Sequence, residues 1–257
     1  MGEDYDLDAG PDPAGFAAAA PERDAAGQAA DPVYAVGIGP GNPEYLTPRG
    51  ERAIREADVV VGFETVVEFV ADRTDADLLT CGYRDEAETL ERFAERVAAG
   101  EAGTAALMGD PNHSGYQFVG KVEQAVGAER PVRVLPGISS LQVAASRART
   151  PMERTTFVTL HRSGDLSDDL ERLRRDAGDR HLLVLPRPYD WMPGDIAAHL
   201  LDAGASASLD VLVLERLTHD DEAVTRTTLG ELSAHANGSG PGETPFSDLS
   251  VLVVRAD

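Results

Sequence analysis

Three short glycine-rich stretches are where a ligand could meet bare backbone in this sequence. They are VGIGPGNPEYLT at 36–47, MGDPNHSGY at 108–116 and PGISS at 136–140, each directly after an apolar run. In the first, Gly37, Gly39 and Gly41 give G-x-G-x-G, and the place of a third fingerprint glycine holds Asn42. Pro40 and Pro43 keep a helix from starting straight after the strand, so no helix N-terminus is aimed at a pyrophosphate. A phosphate-binding loop of the Walker type also fails, because no Gly-Lys-Ser/Thr follows. What remains is either a strand-ending turn or a loop whose missing side chains let a flat ligand lie against the backbone. In the second stretch Gly109 permits an unusual backbone. Asp110 offers a carboxylate at the carboxyl end of a strand, where α/β proteins place ligands. In the third, Ser139 and Ser140 are either helix caps or ligand contacts.

Groups for covalent or acid–base chemistry are not assembled. There is no Ser-His-Asp order and no carboxylate pair, and the single Cys81 excludes an internal disulfide framework and a cysteine-cluster metal site. Of six histidines, His181, His199, His219 and His235 read as structural or solvated, whereas His113 and His161 fall at predicted strand ends on the ligand side. Tyr83-Arg84, after Cys81-Gly82, is a further candidate to face a substrate, against the plainer reading of a surface arginine.

The elements that must position these residues alternate. Strands are expected at 33–39, 57–62, 104–108, 132–136, 155–160, 181–186, 209–215 and 249–254. Helices are expected from a Thr47-Pro48 start to 56 and at 87–99, 114–126, 141–148, 168–176 and 195–203. This pattern predicts α/β layers on a largely parallel sheet, with the three glycine-rich loops along one sheet edge. Residues 1–31, rich in Ala, Gly, Pro and Asp, read as a flexible acidic extension. A proline-bearing stretch near Thr150 divides the rest into domains at 32–150 and 151–257.

The chain has 257 residues, 42% of them hydrophobic but only 5% aromatic, so the cores should be built from Ala, Val and Leu. Acidic residues outnumber basic ones 45 to 23, giving a net charge of −22, and Lys121 is the only lysine. Such a surface repels phosphate backbones and anionic lipid, which argues against nucleic-acid and membrane-surface partners. Arginine kept while lysine is nearly removed points to a salt-rich cytosol, where a Debye length of about 3 Å makes self-repulsion tolerable. No apolar run reaches the ~18 residues of a membrane helix, and no signal peptide is recognisable; a soluble cytoplasmic protein is expected.

The ordered set GIGPGNPEYLT, GDP and PGISS, with the late segment ERLTHDDEAVTRTTLGEL at 215–232, resembles the tetrapyrrole methylase family over residues 33–255. The resemblance implies two α/β domains with the active cleft between them and S-adenosyl-L-methionine as cofactor, held largely by backbone. Pro40, Asp110, His113, Ser139 and Ser140 match cofactor-contacting positions of the family, as do Leu185 and Glu215; Gly37, Gly39, Gly41 and Gly109 are expected to bind the cofactor through their bare backbone. PGISSLQVAASR at 136–147 and TLHR at 159–162 are most similar to the branch that methylates carbon 5 of a cobalt-precorrin. That likeness makes His161, Arg162 and Arg84 the candidates for the substrate side. HRSG in place of His-Gly-Arg, and NHSGY in place of a glycine–aromatic pair, depart from the branch. The alternatives are the carbon-11, carbon-17 or uroporphyrinogen enzymes and, further off, a diphthine synthase. A homodimer is a family expectation. So is a separate partner for methylation and decarboxylation at carbon 15, because some relatives carry that activity in a fused domain. No catalytic side chain and no protein-bound metal are expected, because the sulfonium already carries a good leaving group.

Overall fold

The computed structural model describes residues 10–18, 31–82, 84–128, 130–162, 164–238 and 243–256. Tyr83, Ser163 and most of the acidic extension lie outside them. The chain divides into two compact units, Met1–Ser139 and Ser140–Asp257.

The first unit is built on β1 (Val33–Gly37), β2 (Val59–Phe63), β3 (Asp77–Cys81), β4 (Gly103–Leu107) and β5 (Val132–Leu135). All five run parallel in the order β3-β2-β4-β1-β5. Parallel neighbours need crossovers, and α2 (Pro48–Arg55), α3 (Glu64–Val70), α4 (Glu86–Ala98) and α5 (Tyr116–Val126) supply them. Alternation along the strands splits the core in two. Val33, Ala35, Val59 and Val61 pack with Leu90, Phe93, Phe118 and Val122; Val36, Val60 and Ala106 pack with Ile54, Val66 and Val70. Apart from a few rings, Ile38, Ile54 and Cys81, the core of this unit is Val, Ala and Leu, as the composition leads one to expect. The start of α2 follows the sequence expectation: Thr47 Oγ1 accepts the Gly50 N–H at 3.1 Å and Pro48 occupies the first turn. Within the segment read as an extension, α1 (Pro13–Ala18) is ordered, with Phe16 packed on the first core and its ring 5.6 Å from that of Tyr116.

The only lysine is not on the surface. Lys121 Nζ lies 2.7 Å from Glu86 Oε2, tying α5 to α4, with both side chains about nine-tenths buried. Cys81 is buried next to this pair, and burial, helped by Glu86 and Asp85, pushes its thiol up to about 12.

The second unit holds β6 (Thr155–Thr159), β7 (His181–Leu185), β8 (Asp210–Glu215), β9 (Ala223–Thr228) and β10 (Ser250–Val254) in the order β6-β7-β10-β8-β9. Here the expectation of a largely parallel sheet is corrected. β6 and β7 are parallel, but β10 runs antiparallel between β7 and β8, and β9 pairs antiparallel with β8. The cause is local: no helix lies between β8 and β9, and without a crossover the chain can only fold back. β6, β7 and β8 therefore still point the same way. The helices of this unit are α6 (Ser140–Ala148), α7 (Ser167–Asp176), α8 (Pro193–Asp202) and the short α9 (Leu229–Leu232). α6 packs against β7 and β10, and Arg255 donates to the Ala148 carbonyl at 2.8 Å. The division of the chain thus falls before α6, earlier than the proline-bearing stretch near Thr150.

Candidate active site

In the first unit the carboxyl ends of β4, β1 and β5 are neighbours, and the three glycine-rich loops leave from them. Gly37 ends β1; a Cβ there would lie 2.5 Å from the Gly109 oxygen and 2.6 Å from the Gly137 nitrogen. A Cβ on Gly137 would in turn fall on the Gly109 oxygen and the Gly37 carbonyl. Gly39 (φ +91°) and Gly109 (φ +65°) exchange two backbone hydrogen bonds: Gly39 N–H donates at 3.3 Å and Gly109 N–H at 2.9 Å. These glycines let three loop backbones touch each other. They close the loops on one another, the turn-forming use that the sequence offered beside ligand contact. Gly41 (φ +135°) turns the chain after the buried Pro40.

Asp110 locks the arrangement. It is 7% exposed, its Oδ2 accepts the Gly137 N–H at 3.1 Å, and its Oδ1 accepts the Asn112 N–H at 2.9 Å. The carboxylate thus staples the GDP loop to the PGISS loop. Ser139, two residues past Gly137, is buried, and Ser140 opens α6. His113 is exposed in the wide helical turn Pro111–Gly115, its backbone N–H on the Asp110 carbonyl at 3.0 Å. Met108, read from sequence as the last strand residue, is 41% exposed between the buried Leu107 and Gly109. An exposed apolar side chain beside a bare-backbone loop suits a ligand with a flat face and an apolar edge. Arg84 is apart from this group: it follows the edge strand β3, with β2 between β3 and β4.

The second unit gathers the other candidates on one sheet edge, at the ends of β6, β7 and β8. Leu185 ends β7, its carbonyl accepting the Leu160 N–H at 2.8 Å. Glu215 ends β8; it is 8% exposed, and its Oε1 accepts the Ser247 N–H at 2.7 Å. His161 is exposed past β6, its backbone N–H on Thr159 Oγ1 at 3.2 Å. The surrounding protein holds its imidazole below the ordinary histidine range, with Asp248 acting in the opposite direction. Arg162 is engaged: Nε and Nη2 donate to Asp169 at 3.0 and 2.7 Å, and Nη2 also reaches the Asp165 carbonyl at 2.6 Å. Sequence reasoning passed over Arg187 and Arg216, which follow β7 and β8 on this same edge. The available signal was an arginine just past each of three predicted strands.

Among the described residues no group of His, Cys, Asp and Glu side chains could hold a metal ion, and no helix is long and apolar enough to cross a membrane.

Comparison with known proteins bears on the whole of this framework. Residues 32–233 match the sequence profile of the Tetrapyrrole (Corrin/Porphyrin) Methylases. A probable cobalt-precorrin-7 C(5)-methyltransferase of Methanocaldococcus jannaschii is 30% identical over 230 residues, 88% of this chain and 98% of that protein. The same organism's cobalt-precorrin-4 C(11)-methyltransferase is 23% identical, covering 82% of this chain and 84% of its own. Among solved structures, the uroporphyrin-III C-methyltransferase of Thermus thermophilus, in complex with S-adenosylhomocysteine, superposes with a TM-score of 0.66 at 24% identity, over 88% of this chain and 92% of that one. With a profile match over residues 32–233 and a relative matched nearly end to end, the chain belongs to the tetrapyrrole methylase family.

Proposed function

We propose that this protein is an S-adenosylmethionine-dependent methyltransferase acting on carbon 5 of a cobalt-precorrin, as a cobalt-precorrin-7 C5-methyltransferase. The observation that carries the reading is the likeness to the Methanocaldococcus jannaschii relative across nearly all of both chains. The first unit's strand-end loops suit the cofactor: closely packed backbone at Gly37, Gly39, Pro40, Gly41 and Gly109, with the exposed Met108 beside it. When bound, S-adenosylmethionine supplies an electrophilic methyl on a positively charged sulfur, and the electron-rich ring carbon is the nucleophile. The protein's task is then alignment and exclusion of water. In this reading Asp110 holds two loops in register, His113, Ser139, Ser140, Leu185 and Glu215 complete the cofactor contacts, and His161, Arg162 and Arg84 serve the ring. A homodimer working in a salt-rich cytoplasm, with a separate enzyme for carbon 15, completes the proposal.

The test is incubation of the purified protein in molar salt with a panel of precorrin intermediates and methyl-labelled S-adenosylmethionine. A gain of one methyl, located at carbon 5 by NMR, is the expected result. A methyl at carbon 11 or 17, or on uroporphyrinogen, would move the protein to another branch of its family.

A further inference from the structure

β6, β7 and β8 point the same way, and an arginine follows each just past its end: Arg162, Arg187 and Arg216. Each meets an aspartate that follows it in the chain: Asp169 in the first turn of α7, and Asp190 and Asp221 in the loops after β7 and β8. The three pairs are not equally firm. Asp169 is 19% exposed and takes two donors from Arg162, so that pair is the firmest of the three. Asp190 and Asp221 are 56% and 66% exposed, free to turn to water. The Nε of Arg187 is buried without a partner, whereas that of Arg216 lies 2.6 Å from Asp221 Oδ2. Arg187 Nη1 has only the Arg162 and Gly164 carbonyls, both at 3.5 Å.

The backbone of these two loops is held at a cost as well. Tyr189 (φ +61°), Arg216 (φ +44°) and Thr218 (φ +71°) are non-glycine residues in the left-handed region, and Thr218 Oγ1 is buried without a partner. Strained loops, an Arg187 Nε with no partner and two arginines whose aspartates face water together mark a clamp waiting for an acceptor. With β10 between β7 and β8, the two arginines leave strand ends about 10 Å apart, two strand spacings. That is the scale on which a tetrapyrrole displays carboxylates from neighbouring rings.

We propose that Arg187 and Arg216 form a carboxylate clamp: each releases its aspartate to solvent and takes a side-chain carboxylate of the tetrapyrrole in its place. The proposal rests on the substrate class given under Proposed function. Exchange of one carboxylate for another leaves each arginine neutralised throughout, so a strongly anionic protein needs no long-range attraction to seat an anionic ring.

The test uses uroporphyrin III, a stable polycarboxylate tetrapyrrole, titrated into the full chain in molar KCl and followed by fluorescence, with S-adenosylhomocysteine binding measured by calorimetry on the same samples. Arg187→Gln and Arg216→Gln should each weaken the porphyrin about tenfold, the scale of a lost charge-assisted hydrogen bond. Asp190→Asn and Asp221→Asn, which remove the competing carboxylate, should tighten it about threefold or more. A pair that only braces its loop would give no tightening, so the aspartate variants decide the matter even where an arginine variant folds poorly. Porphyrin affinity unchanged or weakened in both aspartate variants, or absent in the wild type, overturns the clamp while S-adenosylhomocysteine still binds. Failure of the wild type to bind S-adenosylhomocysteine overturns the methyltransferase reading instead, and the clamp with it.

Discussion

Gly137 lies outside the left-handed region, yet a methyl group there would meet the Gly109 oxygen and the Gly37 carbonyl; Gly178 has nothing within 4 Å but a φ of +86°. The two positions need glycine for opposite reasons, and substitution should separate them. Gly178→Ala carries only the torsional cost, about 1 kcal/mol. Gly137→Ala forces three loop backbones apart and pulls the Gly137 N–H from Asp110, for which about 2–3 kcal/mol is expected. Denaturant unfolding checks the order; equal losses would mean that the loops separate freely. The same position shows what a linear sequence hides. PGISS announces a tight loop after a strand, but nothing in it says that Gly37, Gly109 and Gly137 are mutual neighbours, because that follows from strand order. Asp110 was legible as a carboxylate at a strand end. Its two backbone partners, 2 and 27 positions on, were not. The burial of Lys121 is hidden in the same way: long charged side chains usually lie outside, and only the fold brings Glu86 to it.

Helix α6 is fastened to the loop after β8 by Arg147 and Glu222, whose Oε1 and Oε2 accept Nε at 3.0 Å and Nη2 at 3.3 Å; Glu222 Oε2 also accepts the Thr218 N–H at 2.8 Å. The hydrogen bond from Arg147, with its charge, lowers the Glu222 pKa below the ordinary carboxylate value of 4.5. A depressed folded-state pKa adds stability above the unfolded value and loses it as pH falls through the folded one. The advantage of wild type over Glu222→Gln should therefore be full at pH 7, about 1–2 kcal/mol, and shrink steadily below pH 4.5. Melts of both proteins from pH 7 to pH 3 measure it, and a constant gap would remove the ion pair from the account. Elements of this kind were read with uneven success, for a physical reason. Buried central strands such as β1, β2, β7 and β10 are continuous apolar runs and were legible. The edge strands β3 and β9 were not, since β3 buries only alternate positions at its end and β9 buries none. The β-branched run in α3 also conceals a helix, because Val favours strands. Thr228-Leu-Gly-Glu231, part of the family-like late segment, turns out to be a capping box opening α9, with Thr228 Oγ1 and Glu231 Oε2 satisfying each other's backbone donors.

The charge of −22 is carried by 45 acidic residues against 23 basic ones, so even complete pairing of every base would leave nearly half of the acids repelling one another. The surface pairs that do form, such as Arg73–Glu51 and Arg96–Asp77, have at least one partner well exposed. Such pairs are worth about 0–1 kcal/mol each, and salt weakens them further. The repulsion between unpaired carboxylates is also screened by salt, and it is the larger sum. Added salt should therefore stabilise the fold even though it weakens every ion pair drawn on the surface. Lys121–Glu86 is buried and contributes little to the change either way. If screening relieves about 2–3 kcal/mol, the midpoint of thermal unfolding rises about 5–10 °C between 0.05 M and 1 M KCl, order-of-magnitude figures for a chain of this size. Screening also fixes the shape of the curve: the Debye length falls from about 14 Å to about 3 Å over that range and changes little beyond it. A midpoint that climbs and then levels near 1 M is the expected result. A flat curve would mean that the acidic surface is neutral to stability, and a steady climb in sulfate but not in chloride would assign the effect to solute exclusion from apolar surface rather than to charge.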